Sequence, residues 1–213
     1  MKRLYEDVWQ SERYSSGILN SHAYLLRRPQ GNVLFSNTGA ARDLDHVEKL
    51  GGIGYQLLTH RDEVGGSLGR IRDRFGSKLG IGALEVPYAE RHSPVDIAFD
   101  PADTQLEDMR VFFTPGHTDG SICYYYESPH GASYLFSGDT FFKSYGRWST
   151  FVLPGFGGTD ADMADSLRKL RDLRPDVIMS SGFVGDVSHG EVTHAEWLEA
   201  LDHHIARHAR RSS

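Results

Sequence analysis

The 213-residue chain contains a single cysteine, Cys123. One thiol can make no disulfide within the chain and no cysteine-based zinc finger. Cys123 lies in Ser121-Ile122-Cys123-Tyr124-Tyr125-Tyr126, a β-type run. It reads as a packed strand thiol and not as a nucleophile. Long apolar runs are missing as well: none nears the roughly 20 residues of a membrane helix. The first residues, Met1-Lys2-Arg3-Leu4-Tyr5-Glu6-Asp7, carry acids where a secretory signal needs an apolar stretch. A cytoplasmic protein with no membrane partner is the expectation. Positive charge is in short supply, with 23 Lys and Arg against 29 Asp and Glu. A net charge of -6 argues against a nucleic-acid partner, because phosphate recognition needs a basic face. The arginines between Arg207 and Arg211, with His208, read as a solvated helix end that complements the helix dipole. Internal repeats, low-complexity tracts and linkers are absent too, so residues 1–213 are expected to form one domain.

What is present is a succession of short apolar runs and amphipathic stretches. His22 to Arg27 and Asn32 to Ser36 flank Pro29-Gln30-Gly31, which predicts a hairpin. Leu44, Val47 and Leu50 recur at helical spacing, and Gly51-Gly52 ends that helix. Gly65 to Phe75 has a second helical pattern through Leu68, Ile71 and Phe75. Short strands are expected at Tyr55 to Thr59, Ala83 to Val86, Asp96 to Phe99, Arg110 to Thr114, Ser121 to Glu127, Ser133 to Ser137 and Asp176 to Ser180. A third helix is expected from Thr159-Asp160 to Leu173. Thr193 and Glu196 form a capping box for the last one, with Trp197, Leu201 and Ile205 as its buried stripe. His194, His203, His204 and His208 fall on or beside its polar side. Strands in two clusters, each followed by helices, suit packed sheets with helices outside.

Three places have the form of a rigid delivery point, where a strand runs into a tight turn and a polar side chain. These are Thr59-His60-Arg61-Asp62-Glu63-Val64-Gly65-Gly66, Pro115-Gly116-His117-Thr118-Asp119-Gly120-Ser121, and Leu135-Phe136-Ser137-Gly138-Asp139-Thr140. Each alone reads as a solvated loop. Together, in this order, they resemble the metallo-β-lactamase superfamily. That family carries Thr-His-x-His-x-Asp-His-x-Gly-Gly, then Pro-Gly-His-Thr-x-Gly-Ser, then Gly-Asp-Thr, then a late Gly-His. Asn37-Thr38-Gly39 stands where the family has Asp-Thr-Gly, and Ser166-Leu167-Arg168-Lys169-Leu170 resembles its Ser-Leu-x-x-Leu helix. The resemblance spans roughly residues 20 to 185 and looks closest to the glyoxalase-II-like hydrolases. It implies an α/β fold: a four-layer αββα sandwich of two mixed sheets with outer helices.

Two departures alter the implied metal centre. The first motif is two residues short. If Gly65-Gly66 anchor it, Asp62 takes the place of the family's Asp and Glu63 that of its last His; if His60 anchors it, Asp62 takes the place of the second His. Late in the chain, Ser180-Ser181-Gly182-Phe183 stands where the family has Pro-Gly-His-Gly, so Phe183 falls near or on the ligand His. His189 is the candidate substitute. The implied metal ligands are therefore His60, Asp62, Glu63, His117, Asp139 and His189, with Asp62 and Asp139 as catalytic carboxylates. The set suffices for one divalent ion, zinc in first place, with manganese or iron as alternatives. His22, His46, His92 and His130 have no partner spacing.

Three functional readings stand at this point. One is a metal-dependent hydrolase of a small ester, thioester or lactone, acting through metal-bound water. Another is a non-catalytic or regulatory protein on the same fold with a degenerate metal site. An oxidoreductase using one iron is a third. The implied partner is a small molecule, with a homo-oligomer left open. The loop Tyr145 to Gly158, rich in Gly and aromatics, is the candidate for specificity.

Overall fold

The computed structural model describes residues 1–212. A mixed seven-stranded sheet runs Lys2–Arg3, Val8–Gln10, Tyr24–Leu26, Val33–Phe35, Tyr55–Leu57, Lys78–Gly82, Ile97–Phe99 in spatial order. Its first four strands pair antiparallel and its last three join in parallel. A mixed six-stranded sheet runs Gln105–Leu106, Met109–Phe113, Ile122–Glu127, Ser133–Phe136, Val177–Met179, His189–Glu191. The two pack face to face. Tyr24, Phe35 and Leu57 of the first meet Tyr124, Phe136 and Met179 of the second, and the Phe35 and Phe136 rings stack.

The other face of each sheet buries a helical layer, because alternate strand residues point to opposite faces. Leu25 and Leu34 pack against Leu44 and Val47 of α1 (Ala41–Lys49) and Ile71 of α2 (Ser67–Phe75). Leu58, Leu79 and Ile81 cover Leu68 of α2 and Ala89 of α3 (Val86–Ala89). Cys123, Tyr125, Leu135 and Ile178 cover Met163, Leu167 and Leu170 of α4 (Asp160–Leu170) and Trp197 and Leu201 of α5 (His194–Arg211). Each such side chain contributes about 1.5–3 kcal/mol by leaving water. The result is the expected αββα sandwich. Cys123 is fully buried, which pushes its thiol up to about 11. Thr159 and Thr193 cap α4 and α5, the latter with the full Thr193–Glu196 box. No helix among the described residues is long and apolar enough to cross a membrane.

Three features depart from the sequence expectations. Ala83 to Val86 is no strand: Ala83–Glu85 is a 3-10 turn leading into α3, whose first turn contains Pro87. A third sheet of short strands, Arg147–Ser149, Phe142–Ser144, Gly182–Val184, Leu19–Ser21, Tyr14–Ser16, joins the two main ones. His204 and His208 are buried, not on a polar face, because polar partners reach them. Thr150 Oγ1 lies 2.6 Å from His208 Nε2 and 3.4 Å from His204 Nδ1, and Asp160 bonds His208 Nδ1.

Candidate metal centre

The first turn leaves the strand Tyr55–Leu57 and folds at once into a 3-10 turn, Arg61–Glu63. Glu63 turns back rather than outward. Its Oε2 accepts from Thr59 N at 2.6 Å, and its Oε1 accepts from Thr59 Oγ1 at 2.9 Å. Thr59 has one hydroxyl proton, now spent on Glu63. Thr59 Oγ1 therefore accepts from His60 Nδ1, 2.9 Å away. This places the ring proton on Nδ1 and the lone pair on His60 Nε2.

The second turn gives the same result by a different route. His117 Nδ1 lies 2.9 Å from Phe151 O. A carbonyl can only accept, so Nδ1 carries the proton and Nε2 the lone pair. Further bonds sew the Phe151 strap to this turn, from Leu153 N to His117 O at 3.0 Å and from Asp119 N to Phe156 O at 3.1 Å. The first and second turns are clamped by Arg61, which bonds Glu85, Tyr88 and Asp119. Fully buried Glu85 also accepts from Thr118 Oγ1 at 2.5 Å.

Asp139 completes the group from the third turn. Gly138 adopts φ +53, and a Cβ there would stand 2.0 Å from Thr59 Oγ1. Only glycine lets the first and third turns approach this closely. Asp139 Oδ1 accepts from Gly182 N at 2.9 Å, which leaves Oδ2 to face the histidines.

The two imidazoles meet edge to face, centroids 4.6 Å apart. Asp139 Oδ2 lies 3.7 Å from His60 Nε2 and 3.8 Å from His117 Nε2. Asp62 Oδ2 lies 3.8 Å from His117 Nε2. None of these is a hydrogen bond, and both Nε2 atoms are buried without a partner. Two orphaned lone pairs facing two carboxylates need a cation or a proton between them. Donors around a tetrahedral zinc ion, each about 2.1 Å from it, stand roughly 3.4 Å apart. The observed spacing exceeds that by a few tenths of an ångström, and ligand atoms of His60, Asp62 and His117 all lie within 4.8 Å of one another. The residues fit one divalent ion with two nitrogens and up to two oxygens. The electrostatics agree. His117 holds the Asp62 carboxyl below its ordinary range against the opposing effect of partial burial. Burial pushes the His117 imidazolium down, but Asp62, Asp139 and the Phe151 carbonyl outweigh it and the net shift is upward. A proton and a metal ion compete for the same lone pair.

The structure thus brings together His60, Asp62, His117 and Asp139. Glu63 stands behind His60, its Oε1 3.9 Å from Nδ1, and is occupied by Thr59. His189 lies on the strand His189–Glu191, with Nδ1 3.4 Å from Gln10 Nε2, and burial lowers its pKa. Phe183 is buried and stacked on His22, centroids 5.1 Å apart. Sequence reasoning missed Thr59, the Phe151 carbonyl and the Gly182 amide. Thr59 was visible as the neighbour of His60; the other two lie far along the chain and act through backbone atoms, which carry no residue signal.

A cavity of about 750 Å³ opens beside the cluster. Its walls come from the hairpin Tyr14–Ser21, the loop Asn37–Ala40 and the start of α2, with His60, Asp62, Asp139 and Gly182 among the lining residues. The loop Tyr145 to Gly158 supplies none of this lining.

A four-layer αββα sandwich with this cluster at its strand ends defines a class, and comparison with known proteins agrees. The model of the metallo-beta-lactamase superfamily matches residues 35–182, and the chain belongs to that superfamily. A hydroxyacylglutathione hydrolase from Acidiphilium cryptum is 30% identical over 172 residues, covering 78% of this chain and 65% of that protein. Another, from Synechococcus sp., is 34% identical over 123 residues, covering 55% and 44%. The chain spans less than two thirds of the length of these relatives. Among solved structures, a metallo-beta-lactamase family protein from Thermus thermophilus superposes with TM-score 0.67 at 22% identity, covering 96% of this chain and 81% of that one. A Cronobacter sakazakii metallo-beta-lactamase with a HARLDQ motif gives TM-score 0.66 at 16% identity, covering 97% and 92%. These structures share the fold.

Proposed function

We propose that the protein is a metal-dependent hydrolase of a small ester, thioester or lactone, with one divalent ion held by His60, His117, Asp139 and Asp62. The observation that carries this reading is the pair of buried Nε2 atoms, each with its tautomer fixed by a partner on Nδ1 and neither with a partner of its own. Zinc suits imidazole and carboxylate donors such as these, whose separations are 3.7 to 3.8 Å, with manganese and iron as the alternatives to test. The thioester preference draws support from the hydroxyacylglutathione hydrolases among the relatives. The same reading takes residues 1–213 as one domain acting in the cytoplasm on a small molecule, with neither nucleic acid nor membrane as partner.

A divalent ion at this place supplies a water of lowered pKa and polarises the substrate carbonyl. The chain's own residues do the rest. His60 and His117 present neutral nitrogens in fixed orientation. Asp139 is anchored through Oδ1 by Gly182 and offers Oδ2. Asp62, the most exposed of the four, lines the cavity and is placed to take the proton of the attacking water.

The test is metal analysis of the purified protein joined to an assay against thioesters, esters and lactones with zinc, manganese and iron supplied in turn. About one ion per chain is expected, with turnover lost together with the metal in His117→Ala. Turnover that survives metal removal overturns the mechanism. Silence in every combination overturns the hydrolase reading and leaves a binding protein on the same fold.

A further inference from the structure

The wall of the cavity formed by the loop after Val33–Phe35 and by the start of α2 carries donors with no partner among the described residues. Arg70 lies on α2 three residues beyond Ser67, and both line the cavity. Among the described residues Arg70 makes no ion pair, no side-chain hydrogen bond and no aromatic contact. Its guanidinium lies over Gly39, where an added Cβ would stand 3.2 Å from Nη2. Asn37 is next to it through Ser67. Asn37 Oδ1 accepts from Ser67 Oγ at 2.7 Å and from Gln56 Nε2 at 3.3 Å. With the oxygen so fixed, Nδ2 is the free end of the amide, and it faces Gly65, another lining residue.

The other charged groups of the cavity are accounted for. Arg13 pairs with Asp186 at 3.2 Å, Glu12 stands 4.0 Å from Arg42, Glu63 is bound by Thr59, and Asp62 and Asp139 belong to the metal cluster. Arg70 is the cavity cation left without an acid. Asn37 stands where the superfamily pattern has an aspartate, so this position carries amide N–H donors and no negative charge. A guanidinium fork beside an amide N–H is a receptor for a planar anion.

We propose that Arg70 and Asn37 form a carboxylate subsite, so that the preferred substrate is an acyl compound bearing a carboxylate remote from the scissile bond. This rests on the hydrolase reading for its kinetic consequences and not for the binding itself. The interaction is a selectivity element: it holds one end of the substrate on the wall while the carbonyl reaches the metal cluster.

The experiment compares glutaryl and valeryl thioesters of the same neutral thiol. They match in chain length and differ by one carboxylate. In the zinc-loaded protein kcat/KM is expected to favour glutaryl by about tenfold or more, and the ratio should fall by about tenfold in Arg70→Gln and Asn37→Asp and by less in Arg70→Lys, which keeps the charge but loses the fork. In parallel, calorimetry compares glutaramate, which carries one carboxylate, with valeramide, which carries none, on the wild type and on Arg70→Gln. Equal rates for the two thioesters, or a preference that Arg70→Gln leaves intact, overturn the subsite while the hydrolase reading stands. If neither thioester is hydrolysed, the hydrolase reading fails and the binding arm decides the subsite: tighter glutaramate binding that Arg70→Gln abolishes supports it, and equal affinities for glutaramate and valeramide overturn it. Arg70 is exposed on α2, so its replacement leaves the core untouched.

Discussion

The Gly182 amide and the Asp139 carboxylate are joined by a 2.9 Å hydrogen bond that commits one carboxylate oxygen and leaves the other facing the His60 and His117 imidazoles. Gly182 occupies the late-motif stretch where the superfamily pattern carries a histidine. A Cβ at Gly182 would stand 2.5 Å from Asp139 Oδ1. Glycine and the bound carboxylate are therefore one arrangement: no side chain fits unless Asp139 moves.

Gly182→Ala should accordingly displace Asp139 and weaken zinc binding by about 10- to 100-fold, as loss of a supporting contact does. The carboxylate end can shift without disturbing the sheets, so thermal stability should change by no more than about 1 kcal/mol. Competition with a chromophoric chelator measures the first and denaturant melts the second. Wild-type zinc affinity in Gly182→Ala would mean that Asp139 needs no anchor.

The relay from Glu63 through Thr59 to His60 makes a second demand. Thr59→Val keeps the shape but removes the hydroxyl. His60 loses the acceptor that sets its tautomer, and Glu63 Oε1 loses a donor in a buried place. The expected outcome is zinc affinity down about 10- to 100-fold and stability down about 1–3 kcal/mol. Thr59→Ser should keep both. If Thr59→Val binds zinc as tightly as the parent, the tautomer argument fails.

These contacts show what was and was not legible in the sequence. The hairpin Tyr24–Leu26 to Val33–Phe35, the helices α1, α2 and α4 and the central strands follow from apolar spacing and turn residues, because their partners are apolar and local pattern suffices. Ala83 to Val86 was misread because its short run has no period. Leu84 is 53% exposed while Glu85 is fully buried, the reverse of what hydropathy suggests, since Arg61 and Thr118 hold Glu85. On α5 the buried stripe runs from Trp197 and Leu201 into His204 and His208. Polar residues could continue it only because Thr150 and Asp160, remote in sequence, supply partners. His60, His117 and Asp139 were legible through motif resemblance alone; their convergence is a property of three strand ends.

His204, buried on α5, gives the fold an acid sensitivity. Burial pushes the His204 imidazolium down to about 4. Its folded pKa lies below the ordinary value of about 6.5, so the neutral ring is the form that folding favours. Its contribution is full above pH of about 6.5, declines as pH falls toward 4, and is flat below. The loss should approach roughly 2 kcal/mol, allowing for partial solvation. Urea midpoints from pH 7 to 4 check this, with His204→Gln as reference. The decline should be shallower in the variant, though His22 and His189, also lowered by burial, keep some slope. Parallel profiles would show that His204 titrates normally.

Asp62 and Asp139 should separate in kinetics. Asp139 is 14% exposed at its side chain, is anchored by Gly182 and faces both imidazoles. Asp62 is 42% exposed, approaches His117 alone and borders the cavity. Asp139→Asn removes the negative charge both histidines share, so its main loss should be metal content. Asp62→Asn leaves two imidazoles and one carboxylate, enough to hold an ion at saturating zinc, but it removes the group placed to accept the water's proton. At full zinc occupancy kcat for Asp62→Asn should fall by about 100-fold or more, with KM changed far less, because the cavity wall that holds the substrate is intact. Asp139→Asn should regain part of its activity as zinc is raised. If Asp62→Asn is instead rescued by zinc and keeps its kcat, Asp62 serves as a ligand alone and not as the base. The proton must then leave by Asp139 or by solvent.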